Sequence, residues 1–284
     1  ICHSVKERLK KNKYIRGMKL SLRNTKIQNL NFVISSCPSD QGEDYNIAYS
    51  FIKEVFCKVC KQSLLFSNSK YDIIEYPFLF RERQLDSVVL PIISSLCKGL
   101  VIAEYPIVRD CSIKGFEKKD SKGRIDYWCI YKDYSIVIEM KHSYDAFKTN
   151  LTNDERLIKR WETMTVSQLQ DVRKNVRYFN EKTKGVIRIG LHFITPYCNR
   201  DGNMDDVDDY KCRQKEILTR LSKDVSRCKP KTTTPNFLAS WVLPNNKKYF
   251  EVPYKGTYPG LLLIGKIFTA IAHEGSASMH VNSD

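Results

Sequence analysis

The chain has 284 residues, 42% of them hydrophobic, which is enough to bury a substantial core in one large domain or two modest ones. Forty-seven Lys and Arg against 32 Asp and Glu give a formal charge of +15, which favours polyanionic partners, either nucleic acid or an anionic membrane surface. No secretory signal opens the chain, and no apolar run reaches the roughly 20 residues of a membrane span, so we expect a cytoplasmic protein. The first residue is Ile1 rather than Met, as in a processed product or a fragment.

The cysteines lack the dense spacing of a small, disulfide-bonded secreted domain. Cys57 and Cys60 have metal-like spacing, but no second pair follows at a zinc-ribbon distance, and the surrounding residues favour a helix. We therefore expect reduced thiols, several of them buried as small core residues.

Residues 1–70 are expected to form a basic, mainly helical region. Residues 1–28 carry nine basic side chains and one acid, Glu7, and form either an arm that tracks phosphates or a solvated terminus. Apolar side chains then recur at helical spacing and predict a helix over residues 44–66. These side chains are Ile47, Phe51, Val55, Val59 and Leu64.

Residues 71–200 alternate between helical and strand patterns. An apolar stripe predicts a helix over residues 81–100, with a bend or an early start at Pro91. A strand over 101–110, a polar loop, and two strands joined by a turn at 132–133 should follow. A charged helix from about residue 153 to 179 and a strand over 186–197 complete this region, which predicts a mixed α/β architecture.

Residues 201–284 are expected to pack an acidic loop and a helical, aromatic-rich region on the core. The segment 201–212 imitates a calcium loop, but Asp206 stands where such a loop needs Gly. We expect a disordered or regulatory loop there instead, followed by a helix over 211–226.

The segment 260–272, GLLLIGKIFTAIA, has the Gly and Lys spacing of a phosphate-binding loop. Ile267 replaces the hydroxyl residue that would bind magnesium, and the residues between the two glycines are all apolar. We predict a buried C-terminal helix rather than a nucleotide site.

The clearest chemical signal is Asp126 followed by Glu139 and Lys141. Side chains alternate between the two faces of a strand, so Glu139 and Lys141 point the same way. Two carboxylates beside an ammonium can hold a divalent cation and orient a water, and here one of the carboxylates, Asp126, comes from the neighbouring strand. The alternative is a cross-strand salt bridge on a solvated face. The flanking apolar, aromatic and β-branched runs favour the metal site.

This pattern and the order of elements around it resemble the PD-(D/E)XK nuclease superfamily, the fold of restriction endonucleases and resolvases. The resemblance covers about residues 76–197 and implies a restriction-endonuclease-like core of helix, three antiparallel strands, helix and strand. Asp126 matches the first acid position of that family, with Ile125 in place of the proline. Glu139 and Lys141 match the (D/E)XK tripeptide.

The resemblance also implies a set of site residues. Many members carry a glutamate on the first helix, facing the metal, and Glu82 matches it, with Glu104 as the rival. The catalytic residues would then be Asp126, Glu139, Lys141 and Glu82. A Mg²⁺ ion, for which Mn²⁺ can substitute, would be bound by Asp126, Glu139, Glu82 and the Met140 carbonyl. Polar and basic side chains on the two helices are candidate substrate contacts: Arg81, Arg83, Gln168, Gln170, Arg173, Lys174 and Arg177.

These observations predict a Mg²⁺-dependent endonuclease that hydrolyses phosphodiester bonds, of DNA rather than RNA, in restriction, phage defence or repair. The alternative is a catalytically inactive nucleic-acid-binding or assembly module of the same fold, in which the aromatic-rich C-terminal third stacks on single strands. A membrane-surface protein with a basic N-terminus is a third option. Nucleic acid is the expected partner, and a homodimer or larger assembly is left open.

Overall fold

The computed structural model describes residues 20–27, 29–68, 70, 73–109, 121–148, 155–169, 172, 182–198, 204–228, 233–244 and 256–271. Over these ranges the chain has a mixed α/β architecture with one large, eight-stranded mixed sheet and four α-helices. None of the helices in these ranges is long and apolar enough to cross a membrane.

Ten strands lie in the described residues. They are β1 (Leu22–Ile27), β2 (Leu30–Ser35), β3 (Ser67–Asn68), β4 (Ile73–Ile74), β5 (Val101–Arg109), β6 (Ser121–Tyr131), β7 (Tyr134–Ala146), β8 (Val186–Tyr197), β9 (Phe237–Val242) and β10 (Gly260–Ile271). The large sheet has the order β1-β2-β9-β10-β8-β7-β6-β5, and β3 pairs with β4. Strands β7 and β8 are parallel, and the other neighbouring strands of the large sheet are antiparallel.

The four helices cover both faces of the large sheet. They are α1 (Glu43–Ser63), α2 (Glu82–Leu96), α3 (Glu155–Glu162) and α4 (Met204–Val225). Helix α3 continues into a π-helical segment, Thr163–Gln168. The helices predicted over residues 44–66 and 81–100 and the strands predicted over 101–110 and 186–197 are confirmed.

The sheet separates two hydrophobic cores. Ile138 of β7 belongs to the core that α1 and α2 cover, together with Val89 of α2. Val137, the preceding residue of β7, belongs to the other core, together with Trp161 of α3 and Leu218 of α4. Neighbouring residues of β7 therefore face different helix layers, as the alternation of side chains along a strand requires.

Part of the N-terminal region, which the sequence predicts to be mainly helical, forms strands. Residues 22–35 form the β1–β2 hairpin, and Asn29 takes up a φ of 66° at its turn. Asn tolerates such left-handed values better than most residues. Strand β2 pairs with β9, so this region extends the large sheet. Of the basic segment 1–28, which was predicted to form an arm or a solvated terminus, residues 22–27 form β1, and residues 1–19 and 28 lie outside the described residues.

The prediction of a C-terminal helix over residues 260–272 is wrong. This segment forms β10, which pairs with both β8 and β9 near the centre of the sheet. An uninterrupted apolar run fits a buried strand as well as a buried helix, so periodicity alone does not separate the two. At Gly260 the backbones approach so closely that a Cβ would lie 2.0 Å from the carbonyl oxygen of Trp241.

The predicted acidic loop is partly helical. Helix α4 begins at Met204 rather than at residue 211, so Asp205 and Asp206 lie in its first turn. Asp206 is buried and forms an ion pair with Lys148. Acidic side chains in the first turn interact favourably with the positive end of the helix dipole and so stabilise a helix that begins here. Residues 201–203 lie outside the described residues.

Candidate active site

The acid and lysine pattern lies on the hairpin formed by β6 and β7. Lys132 and Asp133 form the turn with φ of 48° and 66°, the left-handed values of a two-residue type I′ turn. Val137 faces the core beneath α3 and α4. Glu139 and Lys141, two and four residues further along, therefore face the same side.

The hydrogen-bonding ladder between β6 and β7 ends at Ile138, just before the site. Strand β7 still pairs with β8 beyond this point, so only its other edge is open to side chains. Asp126 Oδ2 accepts a hydrogen bond from Met140 N at 2.6 Å. Glu82 Oε2 accepts one from His142 N at 3.2 Å. Two carboxylates thus take the place of the ladder and satisfy alternate backbone N–H groups of β7.

The Lys141 ammonium lies at the centre of these carboxylates. Its Nζ is 3.6 Å from Asp126 Oδ2, 3.7 Å from Glu139 Oε2 and 3.8 Å from Glu82 Oε1. It also donates a hydrogen bond to the Met140 carbonyl at 2.8 Å. Because the carboxylates come from β6, β7 and α2, the tertiary structure is what brings them together. Three carboxylates around one ammonium leave a local excess of negative charge.

Burial separates this cluster from an ordinary polar strand face. The Glu139 side chain has no solvent exposure, against 15% for Lys141. A carboxylate on a solvated face would remain in water, so the solvated salt-bridge alternative does not describe Glu139. Beside Glu139 lies Gly190 of β8, where a Cβ would come within 2.9 Å of Met164 Cε. The small residue lets the π-helical segment pack closely over this part of the sheet.

Burial raises the pKa of two acids on α2. For Glu82, burial is the largest effect, Lys141 opposes it, and Asp126 adds to it. For Asp86, one helical turn later, burial and then the charge of Asp126 raise the pKa. The Tyr127 hydroxyl donates to the Asp86 carboxylate. Sequence reasoning missed Asp86, although its i+4 spacing from Glu82 places both acids on one helix face.

Arg160 of α3 is a further residue of this site that sequence reasoning missed. It is exposed, its Nη1 donates to the His142 carbonyl, and its charge lowers the pKa of Glu82. The His142 ring lies in the interior, where its Nε2 is 2.9 Å from Thr195 Oγ1. Burial lowers the pKa of His142 to about 4, and Arg160 adds to this effect, so the ring is neutral at physiological pH.

The rival glutamate, Glu104, lies outside the lysine cluster. It forms an ion pair with Arg124 at 3.6 Å, and both side chains are largely exposed. Its φ of 52° interrupts the β5–β6 pairing opposite Asp126. Glu104 acts on the site at longer range, since its charge contributes to the raised pKa of Asp86. Among the described residues, Glu82 is the carboxylate from outside β6 and β7 that forms an ion pair with Lys141.

The structure describes only some of the residues that were predicted to contact the substrate. Arg81 and Arg83 flank Glu82 and are exposed. Gln168 ends the π-helical segment, and its Oε1 is buried without a hydrogen-bond partner among the described residues. Four more candidates lie outside the described residues: Gln170, Arg173, Lys174 and Arg177.

Across the described ranges, no group of three or more His, Cys, Asp or Glu side chains is arranged so that it could hold a metal ion. The predicted carboxylates converge on the Lys141 ammonium, whose positive charge offsets part of their mutual repulsion. Cys57 and Cys60, the pair with metal-like spacing, lie on α1.

No family model matches this chain, and no curated protein matches it significantly. A solved structure that resembles part of it is the crystal structure of SSO0001, with 18% sequence identity and a TM-score of 0.21. The similarity covers 49% of this chain and 61% of that one. At this score the likeness carries no argument about fold or function.

Proposed function

We propose that the chain is a Mg²⁺-dependent nuclease with a restriction-endonuclease-like core. The observation that carries this proposal is the convergence of Asp126, Glu139 and Glu82 on the Lys141 ammonium, beside a backbone carbonyl. The chain order α2, β5, β6, β7, α3, β8, with β7 and β8 parallel, supports a core of this kind. DNA is the expected substrate and endonucleolytic cleavage the expected reaction.

The donor atoms and the charge of the cluster fit a hard divalent cation. Carboxylate and carbonyl oxygens are the ligands that Mg²⁺ prefers, and three carboxylates exceed one ammonium by two negative charges. Asp126, Glu139 and the Met140 carbonyl would hold the ion, with Glu82 beside them. When bound, it would supply Lewis-acid polarisation of the scissile phosphate and a more acidic water.

The chain's own residues would orient the substrate and offset its charge. The Lys141 ammonium, which is partly exposed, would position the attacking water and stabilise the negative charge that develops on the phosphate. The exposed Arg160 guanidinium would bind a non-bridging phosphate oxygen, a task that suits its planar, forked geometry. The N–H groups of Met140 and His142 hold Asp126 and Glu82 in place before substrate arrives.

The test is cleavage of linear, circular and single-stranded DNA and of RNA, each with Mg²⁺ and with EDTA. Asp126→Asn and Lys141→Ala should each lower the cleavage rate by about 10²–10³-fold or more, the typical effect of removing one group that stabilises the transition state. Lys184→Ala is the matched control, because Lys184 also pairs with two carboxylates but is half exposed. Unchanged cleavage in both site variants refutes the assignment.

The second candidate function is a module that binds nucleic acid without cutting it. One observation favours it: the described residues contain no group arranged to hold a metal, and an ammonium occupies the centre of the carboxylates. This module would bind a strand in EDTA and take up no Mn²⁺. The nuclease should instead show Mn²⁺ binding that Asp126→Asn abolishes, measured by isothermal titration calorimetry.

A further inference from the structure

A cavity of about 880 Å³ lies between the β1–β2 hairpin, the end of β9 and α4. We call it the hairpin cleft. Apolar side chains such as Val33 and Leu243 contribute to its lining. Most of its polar lining comes from three lysines and three hairpin asparagines: Lys26, Lys211, Lys215, Asn24, Asn29 and Asn31. The cleft lies near the edge of the sheet opposite to the β5 edge.

Every charged residue among the described residues that line the hairpin cleft is a lysine. Lys26, Lys211 and Lys215 are exposed, and none of them forms an ion pair with any described residue. No Asp or Glu is among the described residues that line the cavity. On the same helix, by contrast, Arg213 forms ion pairs with Asp209 and Glu216. Uncompensated lysines around one concave surface favour an anionic ligand.

The helical wall of the cleft is held in place by buried hydrogen bonds. Gln214 lies between Lys211 and Lys215, is buried, and accepts a hydrogen bond from Ser240 of β9 at 2.8 Å. The Ser240 hydroxyl is also 2.9 Å from the hydroxyl of Tyr210, on the same helix. Gln214 Nε2 donates back to the Lys211 carbonyl at 3.1 Å. These contacts tie α4 to the sheet, so its two lysines project from a fixed support.

We propose that the hairpin cleft binds the phosphate backbone of a nucleic-acid strand, at a site separate from the candidate active site. Neutral amide side chains among unpaired lysines suit a chain of phosphates and sugars, since amides donate to phosphate oxygens as well. The overall charge of +15 supports a polyanion as the occupant. This inference deepens the proposed nuclease function, on which it rests, because it assigns a second contact for the same substrate.

The two sites lie on one side of the sheet at a distance that one strand can span. Val33 of β2 and Val137 of β7 belong to the same core, so the cleft and Lys141 face the same helix layer. Four strand-to-strand steps separate β2 from β7, which corresponds to about 19 Å at roughly 4.8 Å per step. The strand registers place Leu238 of β9 level with Lys141, and Val242 at the cleft lies four residues further along, or about 13 Å at roughly 3.3 Å per residue. The two offsets combine to about 23 Å, so at about 3.4 Å per nucleotide the cleft would hold phosphates about seven nucleotides from the scissile bond.

The direct test is fluorescence anisotropy of a labelled DNA strand of about 30 nucleotides, titrated in EDTA over a range of salt concentrations. The slope of log K against log salt is negative, and its magnitude grows with the number of phosphate contacts. Lys211→Gln/Lys215→Gln removes two such contacts and should reduce this magnitude by about 1.4. The same loss should weaken binding about 25-fold near 0.1 M salt. Adding Lys26→Gln should reduce the magnitude of the slope by a further 0.7 or so, about the value of one phosphate contact.

Lys58→Gln/Lys61→Gln is the matched control, since both lysines are exposed on a helix, α1, and the change in net charge is the same. It should leave the slope nearly unchanged. Equal weakening by the two double variants would show that binding follows net charge alone and would overturn the proposal. So would unchanged binding of the α4 variant, or no binding of DNA by the wild-type protein.

Cleavage kinetics separate this inference from the proposed activity. The α4 double variant should raise KM for substrates that extend more than about seven nucleotides from the cut, and leave kcat and the cleavage of shorter substrates unaffected. If the protein binds through the cleft but never cuts, the nuclease proposal fails and the cleft stands. If it cuts and the α4 variant binds and cuts long substrates like the wild type, the cleft fails and the nuclease stands.

Discussion

Replacing Lys141 with methionine should destabilise the fold, because Glu139 would lose its counter-charge in the interior. Glu139 has no solvent exposure, and its Oε2 lies 3.7 Å from Lys141 Nζ. At that distance and an effective dielectric constant of about 20, the attraction amounts to about 4.5 kcal/mol. Removing one partner of a buried ion pair typically costs about 3–5 kcal/mol, because the remaining charge stays desolvated. We expect a loss in this range.

The loss should depend on pH and on Mg²⁺. In the variant, a proton on Glu139 would neutralise the buried charge that Lys141 no longer balances. The destabilisation should then be smaller at about pH 5 than at about pH 8. If the cluster binds Mg²⁺, an ion concentration of about a hundred times Kd stabilises the folded protein by about 2.7 kcal/mol. The cation would also replace part of the missing counter-charge.

Urea denaturation at both pH values, with Mg²⁺ and with EDTA, measures these effects. Lys184→Met is the control, since Lys184 lies 3.6 Å from Glu43 and 3.8 Å from Asp133 but its side chain is 51% exposed. Exposed ion pairs of this kind contribute about 1 kcal/mol or less. If Lys141→Met costs no more than the control, charge pairing does not hold Glu139 in place, and the reasoning is refuted. If Mg²⁺ changes the stability of neither the wild type nor Lys141→Met, the cation site is refuted while the ion pair stands.

Two buried basic groups give further predictions. Burial lowers the pKa of Lys266 from 10.5 to about 8, so stability rises between about pH 8 and 10.5 and is lost as pH falls. Lys266→Met should therefore stabilise the fold at about pH 7 by about 1–3 kcal/mol, a net value that includes the loss of the hydrogen bond to the Thr234 carbonyl. Above about pH 10 the variant should show no gain in stability, and thermal melts at both pH values measure the difference. Burial lowers the pKa of His142 from 6.5 to about 4, so its contribution is present above pH 6.5 and lost as pH falls through 4. Over that window the stability difference between wild type and His142→Asn should shrink by about 3 kcal/mol in urea titrations, and a constant difference contradicts the pKa shift.

Patterns between near neighbours in the chain predicted much of the fold. The apolar spacing along α1 and α2 and the alternation along β7 agree with the structure. These patterns succeed because helix and strand periodicity depends on residues only a few positions apart. They failed for β10, whose apolar run suits either element, and for the β1–β2 hairpin, which the sequence interpretation assigned to a basic, mainly helical region.

The candidate site divides in the same way. Spacing alone placed Glu139 and Lys141 on one face of a strand, with Asp126 on its hairpin neighbour. Glu82 came from the family resemblance, and its contact with Lys141 spans 59 positions in the chain, from 82 to 141. Asp86 and Arg160 were not identified, although Asp86 follows Glu82 at i+4 spacing on the same helix face. Their contacts with Tyr127 and His142 depend on how α2 and α3 pack on the sheet.

The sequence by itself determined the residue types of the site, the alternation that orients Glu139 and Lys141, and the positive charge that favours a polyanion. Only the tertiary structure decided that Glu139 is buried, that Glu82 reaches Lys141, and that Lys26 lines the same cavity as α4. The physical reason is that burial and electrostatic coupling depend on which strands and helices become neighbours. Those neighbours are set by packing of the whole sheet, with β10 between β8 and β9.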